Sequence, residues 1–476
     1  MKNLDNNVLF ESENEFIAEI ENTEDMTQLE HDGYNSWAFL AIYYGIAYRE
    51  KYLDFKTNEN RKVPFYKSKY KALQKIFYGF FNWFGSYDYF VFGDTDSKKL
   101  IDGVYKDRLT HAIVENLGPK KVLFFEKLDK SIVYSKKVLP KHNRVSYFLI
   151  PVISKIYQKM SSKKNTPLSI LEKIGRKYKI DIDYSKIIHN FDIEVVIFKF
   201  ICKLYQPKII FISCYSYKSV IKAAQDLKIP VVEIRHGTTD KQHLIYDVKK
   251  RIHYTISPDY LLVYGKKQET FFKFESLYIN NPDNVVAIGN YYTDYILKNK
   301  DTNILRTRYP WAKIIVAVSL QYTTAAKTIK FLELSVPSDS NILYVLIPRN
   351  ETDIDTYEHT KRNIVIVNDL NCYEVVVASD YHASVYSSCV YEASALGKEN
   401  IFLNILGYSA KYYLKFIQKH RCNHLMDTPE ELISFLRTHN KIDKDIIIKE
   451  SEEYIVHGYE ENIVDTIRFL ENNIED

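Results

Sequence analysis

Two short stretches of this chain combine residue types that can do chemistry. The first is Val231-Val232-Glu233-Ile234-Arg235-His236-Gly237-Thr238-Thr239, an apolar strand pattern that stops abruptly on a histidine and a glycine. Open α/β sheets place ligands at the carboxyl ends of their strands, and a histidine there titrates near neutrality, so His236 could take a proton from a hydroxyl as a general base. A ring that merely hydrogen-bonds a loop carbonyl is the plainer reading. Gly237 and Thr238 continue the turn, and His243 and Tyr246 follow in the same loop, where they could line a pocket or pack it shut.

The second stretch is Tyr381-His382-Ala383-Ser384-Val385-Tyr386-Ser387-Ser388-Cys389-Val390-Tyr391-Glu392. Ser384, Ser387 and Ser388 crowd the start of a helical run over 390–396, where hydroxyls and free backbone N–H groups can cradle a phosphate. Simple capping needs only one hydroxyl and leaves the others unexplained. Glu392, one turn into that helix, could bind ribose hydroxyls. Arg349 closes the strand pattern at 346–351 and could pair bidentately with phosphate oxygens, or with Glu351 or Asp353 as a surface ion pair. Asp94-Thr95-Asp96 could hold a divalent metal, or cap a helix ahead of Ser97. Lys67, Lys69, Lys71 and Lys75 alternate with aromatic residues over 66–84, a composition that suits either a lipid-facing helix or a core helix with a solvated lysine face.

These residues require strands and helices in alternation to position them. A helix capped by Ser36 over 36–48 and a second over 66–84 precede a buried strand at 87–92, a turn at 93–97, a helix over 98–116 and a strand at 122–125. Residues 126–184 are lysine-rich and read as an irregular insertion. Regularity resumes with a helix over 187–205, a strand at 208–213, a helix over 216–227 and strands at 230–234, 259–264 and 285–288. A second sheet begins at 314–319 and takes further strands from 342–347, 364–367, 374–378 and 400–403. A helix starts at Thr428-Pro429-Glu430-Glu431, and 444–473 has helical periodicity. The expected organisation is an acidic leader over 1–35, a domain over 36–300, a second over 301–440 and a C-terminal helix over 441–476. The fold class is α/β, because strand-helix-strand units build parallel sheets.

Composition narrows the functions. The chain has 476 residues, enough for two or three domains, and its 65 Lys plus Arg nearly balance 61 Asp plus Glu. No global field implies nucleic-acid binding. Five cysteines, Cys202, Cys214, Cys372, Cys389 and Cys422, form no close pair, which argues against a disulfide framework or a zinc site and suits a reducing cytoplasm. The start is acidic, unlike a secretory signal, and the apolar stretch over 37–48 is far short of the roughly 20 residues that a spanning helix needs. The expected location is cytoplasmic, with peripheral contact at the inner face of the cell membrane as an option.

In their order, Glu233-Ile234-Arg235-His236-Gly237, Pro258-Asp259-Tyr260-Leu261-Leu262-Val263-Tyr264-Gly265, Ile288-Gly289-Asn290, Val318-Ser319-Leu320-Gln321 and Tyr386-Ser387-Ser388-Cys389-Val390-Tyr391-Glu392-Ala393 carry a resemblance. The chain resembles bacterial GT-B glycosyltransferases of capsule and lipopolysaccharide synthesis. It is also similar to teichoic-acid glycerophosphotransferases and to sialyl and Kdo transferases of the same architecture. The resemblance covers about 205–405. It implies two Rossmann-like domains facing a cleft, with a C-terminal helix linking back. It further implies a nucleotide-sugar donor, CMP-linked or UDP/GDP-linked, and a glycan or lipid-linked acceptor, with no cofactor and no divalent metal. His236 would be the base, Arg349 would face the leaving phosphate, and Gln321, Ser384, Ser387, Ser388 and Glu392 would hold the donor. Gly237, Thr238, His243 and Tyr246 would line the acceptor side. Related enzymes carry a histidine-proline pair where this chain has Pro348-Arg349-Asn350-Glu351, and an arginine there has a permanent charge.

Overall fold

The computed structural model describes residues 10–53, 69–93, 98–101, 103–127, 142–160, 168–237, 245–248, 256–321, 323–336, 341–348 and 362–475. The chain divides into two compact units, one of residues 1–263, 268–287 and 460–476, the other of residues 264–267 and 288–459. Each is built on a wholly parallel sheet, so the α/β class expected from the sequence holds for both.

Seven strands form the first sheet: β1 (Tyr89–Gly93), β2 (Val122–Glu126), β3 (Asn143–Ser146), β4 (Ile209–Ile212), β5 (Val231–Ile234), β6 (Tyr260–Val263) and β7 (Val285–Ala287). Their order across the sheet is β7-β6-β5-β4-β1-β2-β3. The first strand thus lies inside, and the chain reverses its direction of growth between β1 and β4. Runs such as Ile209–Ile212 are buried at every residue because helices cover both faces, which is why they read as continuous rather than alternating apolar segments. Phe92 and Phe125 stack across β1 and β2 at 4.2 Å. The last helix of the chain, Tyr459–Glu475, adds to this unit: Tyr89 Oη donates to Glu471 Oε1 at 2.5 Å, and Ile463, Ile467 and Leu470 are buried.

The second sheet has six strands, β8 (Ile314–Ser319), β9 (Ile342–Ile347), β10 (Ile364–Ile366), β11 (Tyr381–Ser384), β12 (Glu399–Leu403) and β13 (Asn423–Met426). Their order is β10-β9-β8-β11-β12-β13. This is the doubly wound order of a dinucleotide-binding fold, with the reversal between β8 and β11. Gly289, at φ +88°, lets the carbonyl of Val456 approach to where a Cβ would stand only 2.2 Å away.

Several local expectations are corrected. The stretch read as a strand at 374–378 lies in the helix Cys372–Val377, because Asn371 and Glu374 form a reciprocal capping box at its start. In place of one helix over 98–116, an antiparallel hairpin (Lys98–Ile101 with Val104–Asp107) precedes the helix His111–Leu117. The helix expected over 66–84 ends at Ile76, and after Gly79 in the left-handed region a separate turn of 3-10 helix spans Phe80–Phe84. Within 126–184, Asn143–Ser146 is a sheet strand whose mixed composition gave no strand signal. Ser36 does not cap the helix Trp37–Tyr52; its hydroxyl donates to the Leu29 carbonyl, and Asn35 Oδ1 accepts from the Trp37 N–H.

Candidate functional site

In the second unit, Ser319 ends β8 and Ser384 ends β11, and the two are register partners in adjacent parallel strands. They therefore sit side by side at the point where strand order reverses, the place where such sheets take ligands. Tyr386 and Thr323 hydrogen-bond through their hydroxyls and tie together the loops that leave the two strands. Ser384 Oγ accepts from the Ser387 N–H at 3.0 Å, and Ser387 Oγ accepts from the Cys389 N–H at 3.3 Å. Both hydroxyls thus shape the turn while keeping their own hydrogens for other acceptors. Ser388 is exposed, Gln321 is half-buried beyond β8, and Glu392 is half-buried on the two-turn helix Cys389–Ala395. The structure thus brings Gln321, Ser384, Ser387 and Ser388 to one sheet edge.

Sequence reasoning missed what lies beneath this edge. His382, wholly buried in β11, meets Ser319 Oγ with Nε2 at 2.8 Å and Asn400 Oδ1 with Nδ1 at 2.9 Å. Burial pushes its pKa down to about 4, so the ring is neutral. A neutral ring that faces an amide oxygen carries its hydrogen on Nδ1, leaving Nε2 to accept from the serine hydroxyl. Asn400 in turn donates to Ser394 Oγ at 2.8 Å and to the Val390 carbonyl at 3.0 Å. A polar residue at alternating positions of a short apolar strand was the available signal.

In the first unit, His236 follows β5 by two residues and is exposed, with its carbonyl accepting from Arg108 Nη2 at 3.0 Å. The Gly237 carbonyl accepts from Gln268 Nε2 at 3.0 Å, and a Cβ on Gly237 would meet nothing within 4 Å. Packing therefore does not demand glycine there. Tyr246 is fully buried: its hydroxyl donates to Glu233 Oε1 at 2.6 Å, and the Arg235 guanidinium lies 3.5 Å from its ring centroid. Tyr278 Oη donates to the other oxygen of Glu233 at 2.5 Å. Desolvation and the adjacent carboxylate hold both phenols well above their ordinary pKa. This buried knot fixes the end of β5, and Glu233 and Arg235, the two charged residues within the strand pattern, were its sign in the sequence.

A cavity of about 750 Å³ also lies in this unit, between the helices Glu13–Thr23, Trp37–Tyr52 and Tyr184–Tyr205 and the segment that follows β4. His236 and Tyr246 do not line it. Lys218 does; its Nζ donates to the Ile256 carbonyl at 2.8 Å, and burial pulls its pKa down to about 8. Burial raises the Glu194 carboxyl on another wall, against a hydrogen bond from Ser219 Oγ. Arg349, Thr238, His243, Asp94 and Asp96 lie outside the described residues. Among the described residues no helix is long and apolar enough to cross a membrane. At the aromatic stretch, Phe77, Phe80, Phe81 and Phe84 are exposed.

No family model and no curated protein matches the chain. Among solved structures it is similar to the wall teichoic acid polymerase TagF (12% identity, 85% of this chain and 95% of that one, TM-score 0.46). It is also similar to CalG4, the calicheamicin glycosyltransferase (8% identity, 82% and 100% covered, TM-score 0.48). A third is the S. aureus MnaA–UDP co-structure (11% identity, 82% and 98% covered, TM-score 0.44). At such identities and scores no residue correspondence follows from the likeness.

Proposed function

We propose that this chain is a GT-B glycosyltransferase that moves a sugar from a nucleotide-linked donor to a cell-surface polysaccharide or lipid-linked acceptor at the cytoplasmic face. The observation that carries the reading is the pairing of Ser319 with Ser384 at the reversal point of a doubly wound sheet, with Ser387 and Ser388 on the same edge. In this proposal the second unit holds the nucleotide. Ser384, Ser387, Ser388 and Gln321 contact its phosphates, Glu392 its ribose, and Arg349 supplies a fixed positive charge to the leaving phosphate. The first unit holds the acceptor, and His236, exposed at the end of β5, removes the proton from the attacking hydroxyl. Phosphate charge is met by hydroxyls, N–H groups and arginine, so the reaction needs no metal. The exposed rings of Phe77, Phe80, Phe81 and Phe84 support peripheral contact with a membrane.

A thermal-shift screen of nucleotides tests the donor half, since a ligand at 100 times its dissociation constant adds about 2.7 kcal/mol of stability. Stabilisation by one nucleotide class is expected, and indifference to all of them would sink the proposal. Turnover then separates the chemistries. UDP or GDP release marks sugar transfer, whereas CMP release is shared with transfer of a polyol phosphate, and product mass decides between them. Binding without turnover across a broad donor panel would mark a noncatalytic assembly subunit. A His236→Ala protein that folds and turns over at the wild-type rate would remove His236 from the base role.

A further inference from the structure

We propose that Glu399, His424 and His439 form a metal site in the second unit, suited to zinc and separate from the nucleotide edge. Glu399 Oε2 lies 2.7 Å from His424 Nε2 and 2.7 Å from His439 Nε2. All three ligand atoms fall within 4.8 Å of one another. The donors come from three elements: Glu399 opens β12, His424 is the second residue of β13, and His439 follows the helix Pro429–Thr438. Glu399 stands at the amino end of its strand, whereas Ser319 and Ser384 stand at carboxyl ends in the same parallel sheet. The ion would therefore act on structure, clamping the helix end to the two strands.

Two imidazoles and one carboxylate are a borderline donor set that favours zinc and its transition-metal neighbours over magnesium or calcium. Ligand atoms about 2.0–2.1 Å from a tetrahedral zinc ion stand about 3.3 Å apart. The present 2.7 Å contacts need to open by roughly 0.6 Å, which small side-chain rotations supply. Phe435 already orients both rings, with centroids 4.5 Å from His424 and 4.4 Å from His439. Glu399 Oε1 accepts from the Ile442 N–H at 2.9 Å, which leaves Oε2 as the ligand atom.

The tautomers also permit the exchange. Each ring now directs Nε2 at the carboxylate, and among the described residues neither Nδ1 has a protein partner. A metal ion would take the Nε2 lone pair of each ring with the ring hydrogen on Nδ1, and no other protein bond is broken. The rings are partly open, with side-chain exposures of 16% and 22%, which gives the ion a path and leaves its fourth position to water.

The test uses the full chain, free of any histidine tag and stripped with a chelator, titrated with zinc chloride against a chromophoric competitor. About one equivalent of zinc should bind, raising the thermal midpoint, and Co2+ in its place should give the intense visible bands of four-coordinate geometry. Wild-type protein that takes up no stoichiometric zinc, or a weak octahedral Co2+ spectrum, would overturn the site. The His424→Asn/His439→Asn protein should lose that equivalent, and unchanged uptake would equally overturn it. If the double variant does not fold, His439→Gln alone, at a half-exposed helix end, serves the same comparison beside the wild-type cobalt spectrum. Nucleotide-dependent stabilisation should persist in the variants, so failure here is distinct from failure of the transferase reading.

Discussion

Ser319 Oγ and His382 Nε2 meet at 2.8 Å directly beneath the edge proposed to hold the nucleotide, and the pair commits the serine hydrogen to the ring. Such a ring must be neutral. Its folded pKa of about 4 lies below the ordinary value of 6.5, so between these values the unfolded chain binds more protons. Its contribution to stability is complete above pH 6.5 and is lost as the pH falls through 4, for a total of about 3 kcal/mol. His111 and His142 in the first unit, lowered to about 4 and about 3 by burial, act in the same direction. Urea midpoints should therefore drop steeply between pH 7 and pH 4.5, more so in wild type than in His382→Gln. A flat profile would contradict the neutral ring.

Ser387 and Ser388 can be told apart by substitution. Ser387 Oγ accepts from the Cys389 N–H, so Ser387→Ala should cost about 1 kcal/mol as well as weaken nucleotide binding. Ser388 is exposed and makes no side-chain cap, so Ser388→Ala should leave stability within about 0.5 kcal/mol. Calorimetric titration with the nucleotide found by screening should still show weaker binding in Ser388→Ala. Unaltered affinity in both variants would reduce these serines to turn formers.

Glu233 receives two tyrosine hydroxyls and faces the Arg235 guanidinium 3.8 Å away, all in the interior. Tyr246→Phe should cost about 1.5–3 kcal/mol, the loss of one hydrogen bond to a charged group. Glu233→Gln should cost about 3–5 kcal/mol, because it removes one charge of a buried ion pair. Denaturant unfolding of both variants and their double variant gives the coupling. Additive effects would show that the residues do not act as one network.

Phe81 and Phe84 are 86% and 75% exposed. Replacing both with serine should leave the urea midpoint almost unchanged while reducing co-sedimentation with anionic phospholipid vesicles several-fold. Equal sedimentation of variant and wild type would assign these rings no membrane role.

What the sequence disclosed follows from the physics of each element. Ile209–Ile212 and Ile314–Ser319 were legible as strands because helices on both faces of a parallel sheet require an unbroken apolar run. The run Val375-Val376-Val377 has the same composition, yet it lies in a helix that starts at the capping box of Asn371 and Glu374. Asn143–Ser146 was invisible because an edge strand with one aliphatic residue is specified by its neighbour. The serines of the second unit could be found from hydroxyl crowding. Alternation in Tyr381–Ser384 marks His382 as a polar residue within a strand, but not its partners Ser319 and Asn400, which lie on two other strands. The cluster of Glu399, His424 and His439 was hidden for the same reason, its members falling outside any short ligand spacing.

The helix Tyr459–Glu475 belongs to the first unit although it is encoded after the whole of the second. During synthesis, β1 to β7 leave the ribosome long before Glu471 can meet Tyr89 or Ile463 can enter the core. The nascent first unit therefore stays without Ile463, Ile467 and Leu470 in its interior until the second unit has been synthesised. The unit that is written first is the last to be finished.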